Sequence, residues 1–76
     1  MKAQIQKTIN SKLETYDLTK DQLSVTELVF HGLSNKEIGN ILQITEKGVK
    51  WHLTNVYKKA QVSNRVNLIL NCLGDY

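Results

Sequence analysis

Between Thr45 and Arg65 the chain gathers Lys47, Lys50, Lys58, Lys59 and Arg65 against one acid, Glu46, with Trp51, Thr54 and Asn55 set among them. Cations at this density suit a polyanionic partner. Amines, amides and hydroxyls can bond phosphate oxygens or base edges, and an indole can pack on thymine methyls or the sugar-phosphate wall. Against this stand two ordinary explanations: a charge run is usually a solvated helix face, and a lone tryptophan is usually a core residue. A helical wheel, advancing about 100° per residue, separates them. Val49, Leu53, Val56 and Ala60 share one side, the buried stripe. Lys47, Trp51, Thr54 and Lys58 lie opposite, with Lys50 and Asn55 on the flanks and no acid on the outward face. The tryptophan therefore points outward, where its competing use is a protein interface. Double-stranded DNA is the partner these residues favour.

Other chemistry finds little footing. His31, His52 and Cys72 are the only soft metal ligands, and none lie at the short paired spacings of structural zinc sites, so no metal is expected. His52, at the edge of the buried stripe, reads as a packed histidine bonding a neighbouring carbonyl. His31 closes a helix, where a partly positive ring favours the dipole. Cys72 has no basic neighbour in sequence to lower its pKa and reads as a small buried residue. No phosphate loop, nucleophile elbow or paired-carboxylate motif appears, so neither an enzyme nor a cofactor is expected.

The elements that must position the outward face are helices. There is no proline, only four glycines and no alternating β-branched run, which favours an all-α chain. Ile5, Ile9, Leu13 and Tyr16 form the stripe of a leading helix over residues 1–17, a stripe better suited to the domain body or a second subunit than to a membrane. Thr19 and Gln22 have capping-box spacing and open a helix with Val25, Leu28 and Val29 as its apolar face and Gly32 as its stop. Ser34 and Glu37 repeat the spacing and open a short helix with Ile38, Ile41 and Leu42 apolar, ending near Gln43. Thr45 caps the next helix about three residues on. Two helices joined this tightly, the second carrying the basic cluster, are the local pattern of a helix-turn-helix. Ser63 is expected to cap a last helix, in which Val66, Leu70 and Leu73 recur at helical spacing.

Length and charge bound the rest. Seventy-six residues, 41% of them hydrophobic, make one small domain. The formal net charge of +3 lies entirely in the second half, because residues 1–38 hold five lysines and five acids. A single cysteine forbids an internal disulfide, and no stretch suits a signal peptide or a bilayer span, which together favour the cytoplasm.

From Leu18 to about Leu70 the sequence resembles the DNA-binding domain of the LuxR/GerE family of bacterial regulators. The residues that carry the likeness are Leu18-Thr19, Gly32 through Ile38, Ile44-Thr45-Glu46-Lys47, Val49-Lys50-Trp51-His52-Leu53, Asn55-Val56-Tyr57 and Val62-Ser63-Asn64-Arg65. The resemblance implies a four-helix bundle, here residues 18–76 behind a helical extension at 1–17, whose third family helix, residues 46–59, enters the major groove. It implies base contacts from Lys50, Trp51 and Thr54, to which the wheel adds Lys47. Thr45, Lys58 and Asn64 are then placed near the DNA backbone, with Asn55 beside them and Asn35 and Lys36 at the preceding helix start. The fourth family helix implies a homodimer, with Val66, Ile69, Leu70 and Leu73 at its interface. Three sites depart from the family pattern: Asp21-Gln22 for Arg-Glu, Gly48 for Thr or Ser, and Ala60-Gln61 for Leu-Gly. Gly48 predicts fraying at the start of the reading helix, and Ala60 a space that Tyr57 or the N-terminal helix must fill.

The expected function is a stand-alone, dimeric transcriptional regulator. The alternative is an interaction protein that pairs with a larger LuxR-type regulator and blocks it. A further possibility makes residues 1–17 a docking helix for RNA polymerase or another regulator.

Overall fold

A computed structural model of the chain describes residues 11–73, and among them every regular element is helical. The helices are α1 (Lys20–Phe30), α2 (Asn35–Leu42), α3 (Glu46–Ala60) and α4 (Arg65–Cys72), preceded by a helical turn at residues 11–15. Ile5 and Ile9 lie outside the described residues. Leu13 and Tyr16, the other half of their stripe, pack into the body of the domain.

Each helix starts where its cap demands. Thr19 and Ser34 both form complete capping boxes, with Gln22 and Glu37 reaching back to the cap amide. Thr45 accepts the Gly48 amide at 2.9 Å. The last helix is capped one residue later than the sequence suggested: Asn64, not Ser63, accepts the Asn67 amide at 2.8 Å. The asparagine oxygen reaches an amide three residues on, and Ser63 is left to bond the Asn67 side chain.

Three helices end in the same way. The amides of Leu33, Ile44 and Val62 each bond back to the carbonyls of Leu28, Gly39 and Tyr57, around a residue with left-handed backbone. That residue is Gly32 in the first case and a glutamine in the others, Gln43 (φ 59) and Gln61 (φ 58). The three-residue turn Gln43–Thr45 thus rests on a side-chain-bearing left-handed residue.

The core has two clusters joined by α3. Val49 and Leu53 pack with Val25, Val29 and Ile38, while Val56 and Ala60 pack with Leu13, Leu68 and Cys72. Tyr57 touches both clusters. Each buried aliphatic of this kind contributes roughly 1.5–3 kcal/mol, against roughly 1 kcal/mol for the glycine at position 48. Packing therefore outweighs the intrinsic cost, and α3 is helical from Glu46. Leu13 shares a core cluster with Ala60, and Tyr16 and Tyr57 pack against that cluster, so the N-terminal turn and Tyr57 both contribute to the core around the small residue. Ile41, expected on the apolar face of α2, is 57% exposed. An eight-residue helix buries a narrow face, and here Ile38 and Gly39 take it. No helix among the described residues is long and apolar enough to cross a membrane.

Candidate nucleic-acid interface

α3 carries its buried stripe as the wheel requires, since Val49, Leu53, Val56 and Ala60 are all buried. Lys47, Lys50, Trp51, Thr54 and Lys58 are exposed, and Trp51 is 63% accessible. Asn55, on the flank, is half-buried. The Trp51 ring meets His52 edge-on, with centroids 5.2 Å apart. Thr54 donates its hydroxyl to the Lys50 carbonyl at 2.9 Å, which leaves the oxygen lone pairs facing solvent.

One acid borders this face. Glu46 Oε2 lies 3.8 Å from Lys50 Nζ, in an exposed pair one helical turn apart. Such a pair contributes about 0.3–0.5 kcal/mol, less than the roughly 1–3 kcal/mol of discrimination from a good base contact. A base or phosphate can displace Glu46.

The remaining cations have other duties. Lys59 Nζ donates to the Asp17 carbonyl at 2.9 Å and to Gln22 Oε1 at 2.8 Å. Arg65 donates to the Leu33 carbonyl and to Asn35 Oδ1. Two of the five cations in the basic stretch thus hold the fold together. Asn35 and Asn64 have their side-chain oxygens engaged, with Arg65 and with the α4 cap respectively, so only their amide nitrogens remain to donate to a phosphate. Lys36 is exposed in the first turn of α2. Beside it, the backbone amide and then the hydroxyl of Ser34 hold the Glu37 carboxyl below its usual range.

His52 departs from expectation. Its Nδ1 is buried without a hydrogen-bond partner instead of meeting a carbonyl. α3 carbonyls are committed within the helix, and the small cavity beside the ring is lined by Asp21, Ser24, Val25, Leu42 and Ile44.

Residues 16–71 match the family model described as bacterial regulatory proteins, luxR family. The chain belongs to the luxR family. Among curated relatives, the transcriptional regulatory protein LiaR of Bacillus subtilis is 50% identical over 48 residues, 63% of this chain and 23% of its own length. The nitrate/nitrite response regulator protein NarP of Escherichia coli is 43% identical over 49 residues, 64% of this chain and 23% of its own. The HTH-type transcriptional regulator AlkS of Alcanivorax borkumensis is 42% identical over 52 residues, 68% of this chain and 6% of its own. The chain therefore spans less than a quarter of each of these three relatives. No solved structure matches it.

The departures from the luxR family pattern acquire local reasons. Asp21 sits in the first turn of α1, where a carboxylate suits the helix dipole. Gln22 still completes the capping box and also receives Lys59. Gln61 adopts the left-handed conformation that a glycine would take more easily. On α4 the proposed interface residues divide: Val66 and Leu70 are 63% and 57% exposed, whereas Ile69 and Leu73 pack against the two core clusters.

Sequence reasoning missed Gly39. It is buried, and a Cβ there would lie 2.8 Å from the Ile44 carbonyl oxygen, so only glycine lets α2 approach the turn into α3. The available signal was a glycine inside a short helix, a cost that usually has a packing reason.

Proposed function

We propose that this luxR-family chain is a sequence-specific, double-stranded-DNA-binding transcriptional regulator. α3 lies in the major groove, with Lys47, Lys50, Trp51 and Thr54 toward bases and Lys58, Thr45, Asn55, Asn64, Asn35 and Lys36 toward the backbone. The observation that carries this reading is the outward face of α3, where an exposed tryptophan stands among three exposed lysines on a helix clamped from behind by both core clusters. The unit on DNA is a homodimer, supported by the exposed Val66 and Leu70 of α4. Two half-sites about one helical turn apart follow from that symmetry.

The test is an anisotropy titration on promoter DNA at two salt concentrations, with Lys50→Ala and Trp51→Ala beside the parent. Loss of a base contact at Lys50 costs on the order of 1–3 kcal/mol and relaxes specificity at one position. Parent binding that neither substitution weakens would remove the assigned face. The same Val66 and Leu70 surface supports a second reading, pairing with a longer family member and blocking it. Absence of DNA binding together with a stable complex with such a regulator would favour that role.

A further inference from the structure

The one acid that borders the reading face has a use that stability does not explain. Glu46 is the first residue of α3, and its carboxylate lies 3.8 Å from the Lys50 ammonium. Residues four apart on a helix differ by about 40° around its axis, so the two side chains stand next to each other, one turn apart. Both are at least half exposed. An exposed pair of this kind adds little to stability. Among the described residues Lys47 and Lys58, on the same face, pair with no carboxylate. Lys50 alone is matched with an acid.

We propose that Glu46 and Lys50 together read one G·C pair, which makes Glu46 a specificity-determining residue. The inference rests on the placement of α3 in the major groove, where the first residues of a reading helix meet base edges. Across a G·C pair that groove presents two neighbouring acceptors, guanine N7 and O6, and then the cytosine N4 donor. The Lys50 ammonium takes the acceptors, and the carboxylate it releases takes the cytosine amine. An A·T pair instead sets the adenine N6 donor between two acceptors, N7 and thymine O4. There the ammonium meets a single acceptor, and thymine O4 repels the carboxylate. A phosphate satisfies the lysine but leaves the carboxylate facing a like charge. The couple therefore favours one base pair and weakens attachment everywhere else.

The test selects duplexes from a randomised library with the full-length parent and with Glu46→Ala, checked for parental helicity by circular dichroism. Alanine removes the carboxylate without adding an amide that could itself read adenine. The parent enriches a site with a fixed G·C pair, and at that position Glu46→Ala loses at least about fivefold of the preference for G·C over A·T. Lys50→Ala loses the preference at the same position. On an alternating A·T duplex, which offers no cytosine amine, Glu46→Ala binds more tightly than the parent, and its salt slope steepens by up to about one unit as Lys50 turns to phosphate. An enriched site whose G·C positions are all indifferent to Glu46→Ala, or weaker binding of that variant to the A·T duplex, overturns the role of Glu46 and leaves α3 on DNA. A parent that enriches no site overturns the DNA reading and this inference together.

Discussion

The two ends of α3 use the same residue types for opposite purposes. At the N-terminal end Lys47 and Lys50 stand in solvent beside Trp51, and the helix is held there by the Thr45 cap and by Val49 and Leu53 against α1 and α2. At the C-terminal end Lys59 is bonded to the loop before α1 and to Gln22, Tyr57 and Ala60 are packed, and Arg65, just beyond the turn, ties α4 to the start of α2. A lysine that faces solvent keeps its charge available to a polyanion. One bonded to a backbone carbonyl fixes the helix that carries the first. The anchored end is thus what makes the free end rigid enough to present a surface.

The sharpest way to break this contrast is Arg65→Ala. It removes the donors to the Leu33 carbonyl and to Asn35, and hydrogen bonds from a charged group contribute roughly 1.5–3 kcal/mol. We expect a loss of about 2–3 kcal/mol, which for a domain of this size lowers Tm by roughly 10–20 °C. Thermal unfolding followed by circular dichroism checks it. DNA affinity falls as well, since Asn35 and the α2 start lose their tether. A variant that melts like the parent yet loses DNA would move Arg65 to the reading end and dissolve the distinction.

Adjacent lysines provide the next test. Lys59→Ala removes two hydrogen bonds from a charged donor, partly open to solvent, and costs about 1–2 kcal/mol of stability. Lys58→Ala leaves stability within about 0.5 kcal/mol of the parent, as surface substitutions usually do. Instead it weakens binding to all DNA sequences alike and flattens the salt dependence by about one unit. If Lys58 proves to be the stabilising residue and Lys59 the salt-sensitive one, the division between free and anchored cations in the last turn of α3 is reversed.

Which parts of this were legible in the sequence follows from the range of the interactions. Caps and the wheel depend on residues three or four positions apart, so the boxes at Thr19 and Ser34, the Thr45 cap and the buried stripe of α3 could be read directly. The roles of Lys59 and Arg65 could not, because their partners lie 42 and 30 residues away and a basic run looks the same whether solvated or bonded. Ile41 failed for a related reason: an apolar residue satisfies a helical period without the fold having a surface to receive it. Gly39 was silent until the approach of the Ile44 carbonyl gave it a cause.

A pH titration sharpens the anchored end. Burial, reinforced by the hydrogen bond and the charge of Cys72, pushes the Tyr16 phenol up from 10.0 to about 12, although the Asn71 amide opposes the shift. The folded form therefore holds its proton where the unfolded form has lost it. Stability from this group is complete below pH 10 and disappears as the pH rises toward about 12. Lysines also begin to titrate in this window, and burial raises Tyr57 too, so the comparison is with Tyr16→Phe. The difference in Tm between parent and variant should shift against the parent above pH 10. A constant difference would place the phenol in solvent and detach the N-terminal turn from the anchor.

The smallest expected effect lies at the turn that closes α3. Gln61 has φ 58, and its amide and that of Val62 bond back to Lys58 and Tyr57. A left-handed conformation costs a side-chain-bearing residue roughly 1–2 kcal/mol, whereas glycine adopts it freely but loses roughly 0.5–1 kcal/mol more entropy on folding. The two nearly offset, with the steric relief larger. Gln61→Gly should therefore stabilise the chain by about 0.5–1 kcal/mol, read as a small rise in denaturation midpoint with unchanged slope. Because the anchor sits next to this turn, DNA affinity should hold or improve slightly. Destabilisation by the glycine would mean that the Gln61 side chain itself supports the end of α3, and that the anchored end extends beyond Ala60.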